Sequence, residues 1–217
     1  MIPLVHDFEG ERVLVFGGGS VGARKARRFA QEATVLVCSP TFAASDFGGA
    51  SLVRAAPAPE DIGEWLDRVE PALVVAATDD AALNDAIDAA ARERGVLRNR
   101  ADKSGVEGSR DPGSVVVPAM VSDGPVTVSI STGGRSPALS RQLRQEIGPT
   151  VEGAGALAAL LGALRPELKG ELDGQQRRNA LRAVASSDDV WKALDTESAN
   201  ARHVATDVIA DFTGDSG

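Results

Sequence analysis

The segment that decides the fold is Arg12-Val-Leu-Val-Phe16, followed directly by Gly17-Gly18-Gly19-Ser20-Val21-Gly22. The first part is a short apolar run typical of a buried strand, and a helical pattern begins within the glycine-rich part. In a Gly-x-Gly-x-x-Gly pattern so placed, the first glycine permits a tight turn, the second lets a pyrophosphate approach, and the third allows close helix–strand packing. The segment therefore predicts a dinucleotide-binding βαβ unit with phosphates at the helix N-terminus.

Strand and helix patterns alternate through the first half of the chain. Further strands are predicted at residues 34–38, 51–54, 72–76 and 96–99. Helical periodicity lies between them, at residues 21–32, 62–69 and 78–91. Alternation at this spacing favours a parallel sheet with right-handed crossovers. The predicted fold class is α/β, with an N-terminal Rossmann-type domain over residues 1–112.

The pattern changes after Asp102. Residues 103–113 are rich in Gly, Ser and Asp and predict a loop. Two β-rich runs follow, at 114–121 and 125–131, and the turn residues Ser122-Asp123-Gly124 between them predict a hairpin. This hairpin is our candidate for a dimer interface.

The remainder of the chain is predicted to be helical. Ser136 suits an N-cap and Pro137 suits the first helical position, so a helix is expected from there to about Ile147, before Gly148-Pro149. Further helical stretches follow without any strand pattern. We therefore predict a hairpin-and-helix dimerisation segment at residues 113–148 and a helical C-terminal domain at 149–217.

Composition excludes several classes of function. The net charge is −8, which argues against binding to a nucleic-acid backbone. No apolar run reaches the roughly 18–20 residues that span a bilayer, so no membrane partner is expected. Cys38 is the only cysteine and the N-terminus shows no secretory pattern, which favours a cytoplasmic protein. Cys38, His6 and His203 lack metal-ligand spacing, so no metal site is expected.

The expected cofactor is NAD. The residues predicted to contact it follow three strands: Gly17, Gly19, Ser20, Val21, Gly22, Ser39, Pro40, Thr41 and Thr78. The end of the second strand lacks the acid that usually binds the ribose hydroxyls, and no arginine stands there to bind a 2′-phosphate. NAD is therefore favoured, and NADP is not excluded.

Five stretches, in order, resemble the N-terminal domains of siroheme synthases, the precorrin-2 dehydrogenase and sirohydrochlorin ferrochelatase family. They are Gly17–Ala26, Ala76–Asn84, Asn99–Asp102, Val117–Met120 and Ser131–Arg144. The resemblance implies a homodimer that oxidises precorrin-2 to sirohydrochlorin with NAD. It leaves open a bifunctional enzyme that also inserts Fe²⁺ as a substrate. Residues 149–217 resemble the family only in being helical.

The resemblance also implies the catalytic residue. Asp102 matches the aspartate implicated in the family's chemistry, where a carboxylate can act as a general base. The stretch from Asp102 to Pro118 is longer than in the family, and it holds a second candidate, Asp111. Precorrin-2 bears many carboxylates, which cations and backbone N–H groups can bind. The residues predicted to do so are Arg100, Lys103, Gly133, Gly134, Arg135 and Ser136.

A non-catalytic NAD-sensing regulatory domain is the alternative from another class. The stretches Asn99–Asp102 and Ser131–Leu139 argue against it, because a nucleotide sensor does not need them. Formation of NADH from precorrin-2 and NAD separates the two hypotheses.

Overall fold

The computed structural model describes residues 3–43, 46–102, 111–196 and 198–214. The chain divides into two compact units, Met1–Val117 (unit 1) and Pro118–Gly217 (unit 2). The sequence placed boundaries near residues 112 and 148. In the structure the division follows Val117, and the hairpin shares a unit with the C-terminal helices. Residues 103–110, most of the predicted loop, lie outside the described residues.

Unit 1 is built on a parallel five-stranded sheet, as predicted. Its strands are β1 (Arg12–Phe16), β2 (Thr34–Ser39), β3 (Ser51–Arg54), β4 (Leu73–Ala76) and β5 (Leu97–Arg100). They are ordered β3-β2-β1-β4-β5. The order reverses direction between β1 and β4, and ligands of such sheets bind at the carboxyl ends of the strands near this switch point. The glycine loop follows β1 at that point.

Helices cover both faces of this sheet. They are α1 (Ser20–Phe29), α2 (Ile62–Val69), which follows a short 3₁₀ turn, and α3 (Ala81–Glu93). Because side chains alternate along a strand, Val13 and Val15 pack with α1 on one face. Leu14 and Phe16 pack with α2 and α3 on the other. Burial on both faces explains why the strand sequences are continuously apolar.

The predicted strand at 114–121 is wrong in its first half. Ser114 makes an isolated parallel bridge to Arg98 at the edge of β5. The Val115 N–H donates to the carbonyl of Arg98 over 2.9 Å, and Asn99 Nδ2 donates to the carbonyl of Val115 over 2.9 Å. This stretch therefore belongs to the edge of unit 1, and the hairpin begins only after Pro118, which has no N–H to donate.

Unit 2 contains an antiparallel hairpin followed by helices. The hairpin pairs β6 (Ala119–Asp123) with β7 (Val126–Ile130). The helices are α4 (Pro137–Val151), α5 (Ala154–Glu167), α6 (Gly174–Ala185), α7 (Asp188–Thr196) and α8 (Ser198–Gly214). A core of buried aliphatic side chains joins α5 to α8, among them Leu157, Leu164, Val184, Val190 and Ala205.

The expected end of α4 before Pro149 is also wrong. Proline lacks the N–H that would donate one turn back, yet the helix continues to Val151 and closes with a 3.2 Å bond from the Glu152 N–H to the Gly148 carbonyl. Earlier in the helix, Arg144 Nε donates to the Met120 carbonyl of β6 over 3.0 Å. Packing against β6 thus outweighs the loss of one helical hydrogen bond.

Among the described residues, no single helix is long and apolar enough to cross a membrane. The helices α4 and α5 satisfy the length and composition limits only as a pair, and they are bent by 46° relative to each other.

Gly155 fixes the start of α5 against the hairpin. Its N–H donates to Asp123 Oδ2 over 2.9 Å, and a Cβ added there would lie 2.7 Å from the Asp123 carbonyl oxygen. We expect Gly155→Ala to lower the free energy of unfolding by about 1–3 kcal/mol. The matched control is Gly162→Ala in the same helix, where a Cβ would have no atom of the described residues within 4 Å. In that variant the free energy of unfolding should rise by up to about 1 kcal/mol. Equal urea midpoints for the two variants would contradict this packing.

Lys25 is a half-buried lysine of α1. Burial, together with the neighbouring charges of Arg28 and Arg24, lowers the pKa of Lys25 from 10.5 to about 8. Between pH 8 and 10.5 the unfolded chain then holds a proton that the folded chain has lost, so stability from this group rises with pH. We expect Lys25→Met to be more stable than the parent at pH 7 and to lose that advantage as the pH approaches 10.5.

Urea unfolding of both proteins across this pH range checks the expectation. Burial raises the pKa of Cys38 to about 11, which lowers stability at alkaline pH, but this thiol is common to parent and variant and cancels in the difference. The control is Lys169→Met, at an exposed position. If the difference in free energy of unfolding between Lys25→Met and the parent does not vary with pH, the pKa of Lys25 is not lowered in the folded chain.

Candidate functional site

The glycine loop is held by backbone atoms on both sides. A Cβ on Gly17, whose φ is +121°, would overlap the carbonyl of Ala77 after β4. A Cβ on Gly18 would overlap the carbonyl of Thr41 after β2, and one on Gly22 would overlap the carbonyl of Gly17. These positions therefore accept only glycine without a shift of the backbone, and Gly18 is one that the motif did not predict.

Gly19 has a different environment. A Cβ there would meet no atom of the described residues within 4 Å. Gly19 is the N-cap of α1, and no side chain caps this helix end within the described part of the chain. The N–H groups of the first turn, which includes Ser20 and Val21, are thus left for a ligand. Open space beside uncapped N–H groups at a positive helix end fits a pyrophosphate.

The loop after β2 lies against this cradle. Ser39 Oγ donates to the Thr41 carbonyl over 2.7 Å, and the Ala43 N–H donates to the Gly18 carbonyl over 3.0 Å. The predicted cofactor residues Ser39, Pro40 and Thr41 therefore lie beside the glycine loop. The buried Ser39 hydroxyl donates its proton within its own loop, so it positions Thr41 instead of donating to a ribose.

The loop after β4 is fixed by a buried asparagine. Thr78 Oγ1 lies 2.8 Å from Asn84 Oδ1 and donates to it, while Asn84 Nδ2 donates to the Thr78 carbonyl over 2.9 Å. Asn84 is 1% exposed. Asp80 accepts from the N–H groups of Ala82 and Leu83 and caps α3. Asn84, not assigned from the sequence, is therefore a positioning residue for the predicted cofactor ligand Thr78.

Arg54 is a residue near this site that the sequence did not reveal. The parallel register of β2 and β3 pairs it with Ser39. Its Nη1 donates to the Pro40 carbonyl over 3.1 Å, and its guanidinium carbon lies 5.6 Å from the centre of the Phe42 ring. The end of β2 therefore does have an arginine beside it, supplied by the next strand.

Asp102 follows β5 at the carboxyl edge of the sheet, and Arg100 holds it there. Arg100 Nε and Nη2 donate to its two oxygens over 2.9 and 2.6 Å. Arg100 Nη1 donates to Asp85 of α3 over 2.6 Å, and the Arg100 side chain is 7% exposed. The two carboxylates raise the pKa of Arg100 above its ordinary value. Arg100, predicted as a substrate ligand, is thus occupied by carboxylates and orients Asp102.

Asp111, the alternative catalytic aspartate, has a different setting. It pairs with the buried Arg98, which also bonds Asp88 over 3.0 Å, and it accepts the Gly113 N–H over 2.9 Å. Partial burial would raise the pKa of Asp111, but these hydrogen bonds and the charge of Arg92 hold it below its usual range. Asp111 thus joins the 111–114 turn to the β5 edge, and its geometry is that of a structural ion pair.

The other predicted substrate residues fall into two groups. Lys103 lies outside the described residues. Gly133, Gly134, Arg135 and Ser136 all lie in unit 2, in the connection from β7 to α4. Both glycines have positive φ, +64° and +80°. The Arg135 side chain is exposed, and Ser136 Oγ accepts the Leu139 N–H over 3.2 Å as the N-cap of α4, which confirms the predicted cap.

Within the described ranges, no group of three or more His, Cys, Asp or Glu side chains is arranged to hold a metal ion.

Two substitutions in the glycine loop should have different effects, one on ligand binding and the other on stability. Gly19→Asp should fold, because a side chain has space there, but should lose nucleotide binding, because a carboxylate would occupy the anion cradle. Gly22→Ala should instead lower the unfolding midpoint, since its Cβ overlaps the backbone of Gly17. Calorimetric titration with NAD and thermal unfolding measure the two effects. NAD binding by Gly19→Asp comparable to the parent would exclude this cradle.

Models of known families match both units. The family described as putative NAD(P)-binding matches residues 4–119, and the family described as sirohaem biosynthesis protein central matches residues 123–148. The solved structure of SirC, a precorrin-2 dehydrogenase, superposes with a TM-score of 0.67 over 96% of this chain and 98% of that chain, at 24% identity. This structural likeness establishes the fold.

Curated relatives extend the match. The precorrin-2 dehydrogenase of Methanosarcina barkeri is 33% identical over 97% of this chain and 94% of its own length. The siroheme synthase of Azotobacter vinelandii is 36% identical over 82% of this chain, but the match spans only 37% of that protein. Together with the NAD(P)-binding cradle, these similarities identify the chain as an NAD-dependent oxidoreductase that belongs to the precorrin-2 dehydrogenase family.

Proposed function

We propose that this enzyme oxidises precorrin-2 to sirohydrochlorin and reduces NAD⁺ to NADH in the same step, with release of one proton. The observation that carries the proposal is the position of Asp102. It follows β5 at the carboxyl edge of the sheet, the edge that also carries the glycine cradle after β1 and Thr78 after β4. A cofactor and a carboxylate at one sheet edge are the parts that a dehydrogenation needs.

In this proposal Asp102 is the general base. NAD, when bound, supplies the hydride acceptor. Arg100 donates two hydrogen bonds to the Asp102 carboxylate, which favours its ionised form and fixes its orientation. The carboxylate then takes the proton that leaves the macrocycle. Asp85 holds the other side of Arg100, so the base is oriented from α3 through a buried guanidinium.

The carboxylates of precorrin-2 need partners in an acidic protein. We assign this role to Lys103, Gly133, Gly134, Arg135 and Ser136. Arg135 has no carboxylate partner among the described residues, and its side chain is exposed, so its guanidinium is available to a substrate carboxylate. The Ser136 N-cap adds the positive end of α4.

A homodimer is part of the proposal. Helix α4 has 15 residues, and Val151 is its one buried residue. Leu139 on the same helix is 48% exposed. A helix in the centre of a chain with so little burial is suited to pack against a second copy, together with the β6–β7 hairpin. We place this dimer in the cytoplasm, where free thiols such as that of Cys38 remain reduced.

The decisive measurement is NADH formation from precorrin-2 and NAD⁺ under anaerobic conditions. Asp102→Asn should lower kcat by about a hundredfold or more, the range for loss of a general base, while the Kd for NAD stays within about twofold. Asp111→Asn is the matched control and should keep kcat, although its lost ion pair with Arg98 lowers the unfolding midpoint. Full activity in Asp102→Asn with loss in Asp111→Asn would reverse the assignment, and NAD binding without NADH formation would favour the sensor alternative.

Insertion of Fe²⁺ into sirohydrochlorin is a second candidate activity, favoured by the similarity of 82% of the chain to a siroheme synthase. Addition of Fe²⁺ or Co²⁺ to sirohydrochlorin and protein, monitored by absorbance, tests it separately. A rate equal to the protein-free rate would exclude it.

A further inference from the structure

We infer that Arg54 forms a subsite for a 2′-phosphate, so that the protein binds NADP as well as NAD. The inference rests on the proposed cofactor function and concerns the adenosine end of the cofactor, away from Asp102. Three observations support it: the strand end that lacks an acid, the arginine placed beside it, and the lack of a carboxylate partner for that arginine among the described residues.

The first observation is the chemistry of the β2 end. In a Rossmann site the adenosine ribose lies beyond this strand, where an acid binds the 2′-hydroxyl and repels a 2′-phosphate. Here the strand end reads Cys38-Ser39-Pro40-Thr41, without an acid. Asp46, further along the connection, accepts the Gly48 N–H over 2.8 Å and faces Arg27 at 3.7 Å. Among the described residues of this connection, no carboxylate therefore stands free to exclude a phosphate.

The second observation is the placement of Arg54. It ends β3 directly opposite Ser39 in the parallel register. One N–H is anchored on the Pro40 carbonyl at 3.1 Å, and the guanidinium lies over the Phe42 ring at 5.6 Å. A guanidinium carries five donors in a planar fork, so this anchoring orients the group and leaves donors for a phosphate.

The third observation is charge matching. Most arginines of unit 1 are paired with carboxylates: Arg12, Arg27, Arg68, Arg92, Arg94, Arg98 and Arg100. Arg54 has no such partner within the described part of the chain, and its side chain is exposed. In a protein of net charge −8, an oriented and unmatched arginine at an acid-free strand end is complementary to a dianionic phosphate.

Calorimetric titration of the full chain with NAD⁺ and with NADP⁺ tests the inference without the need for turnover. We expect the parent to bind both nucleotides. Arg54→Gln should raise the ratio of the NADP⁺ Kd to the NAD⁺ Kd by about tenfold or more, the value of a lost charge-assisted hydrogen bond. Arg54→Lys, which keeps the charge, should move the ratio less. Arg68→Gln, an exposed arginine of α2, is the control and should leave the ratio at its parental value.

The outcomes separate this inference from the proposed function. NAD⁺ binding without NADP⁺ binding in the parent overturns the inference alone, and so does an unchanged ratio in Arg54→Gln. If neither nucleotide binds the parent, the proposed cofactor function fails as well. Stronger competition by 2′,5′-ADP than by 5′-AMP, with the difference lost in Arg54→Gln, would tie the effect to the 2′-phosphate itself.

Discussion

The contact between the glycine loop and the backbone of its neighbours is the constraint on which the rest of unit 1 depends. Gly17 lies against Ala77, and Gly18 lies against Thr41. The loop after β1 is thus enclosed by the loops after β4 and β2. These contacts leave no volume for side chains, so the start of α1 is fixed by main-chain atoms. An anion cradle built this way is preorganised, because few rotamers need to be ordered when a ligand binds.

Arginine–carboxylate pairs perform the equivalent task at the β5 edge. Arg98 and Arg100 are adjacent inward positions on the α3 side of that strand, and both side chains are nearly buried. Each binds one acid of α3, Asp88 or Asp85, and one acid from beyond the strand. Buried charges are tolerated when they are paired and hydrogen-bonded. The paired carboxylates offset the free-energy cost of burying the two guanidinium groups, and Arg100 at the same time holds Asp102 in place.

Local patterns predicted most of what was found. The strand–glycine–helix segment, the alternation of apolar runs and the Ser136-Pro137 cap depend on neighbours in sequence, and all are present. The features that the sequence analysis predicted wrongly or missed depend on contacts between segments that are distant in sequence. The neighbourhood of Arg54 depends on how β3 pairs with β2, and the late start of β6 depends on the edge of β5 taking residues 114–115. Pro149 stays helical because β6 supports α4, and Arg100 has two acid partners, one of them fifteen residues away.

The ion pairs of Arg98 and Arg100 also bear on which part of the chain is free to change in sequence. Asp102 and Asp111 bracket residues 103–110, and each is tied to the same strand by its own guanidinium. The residues that flank this segment on both sides are therefore fixed to β5, whatever the sequence between them. The sheet beneath therefore does not depend on the sequence of those eight positions. A segment held at both ends in this way can change in sequence or length while Arg100 keeps Asp102 in place.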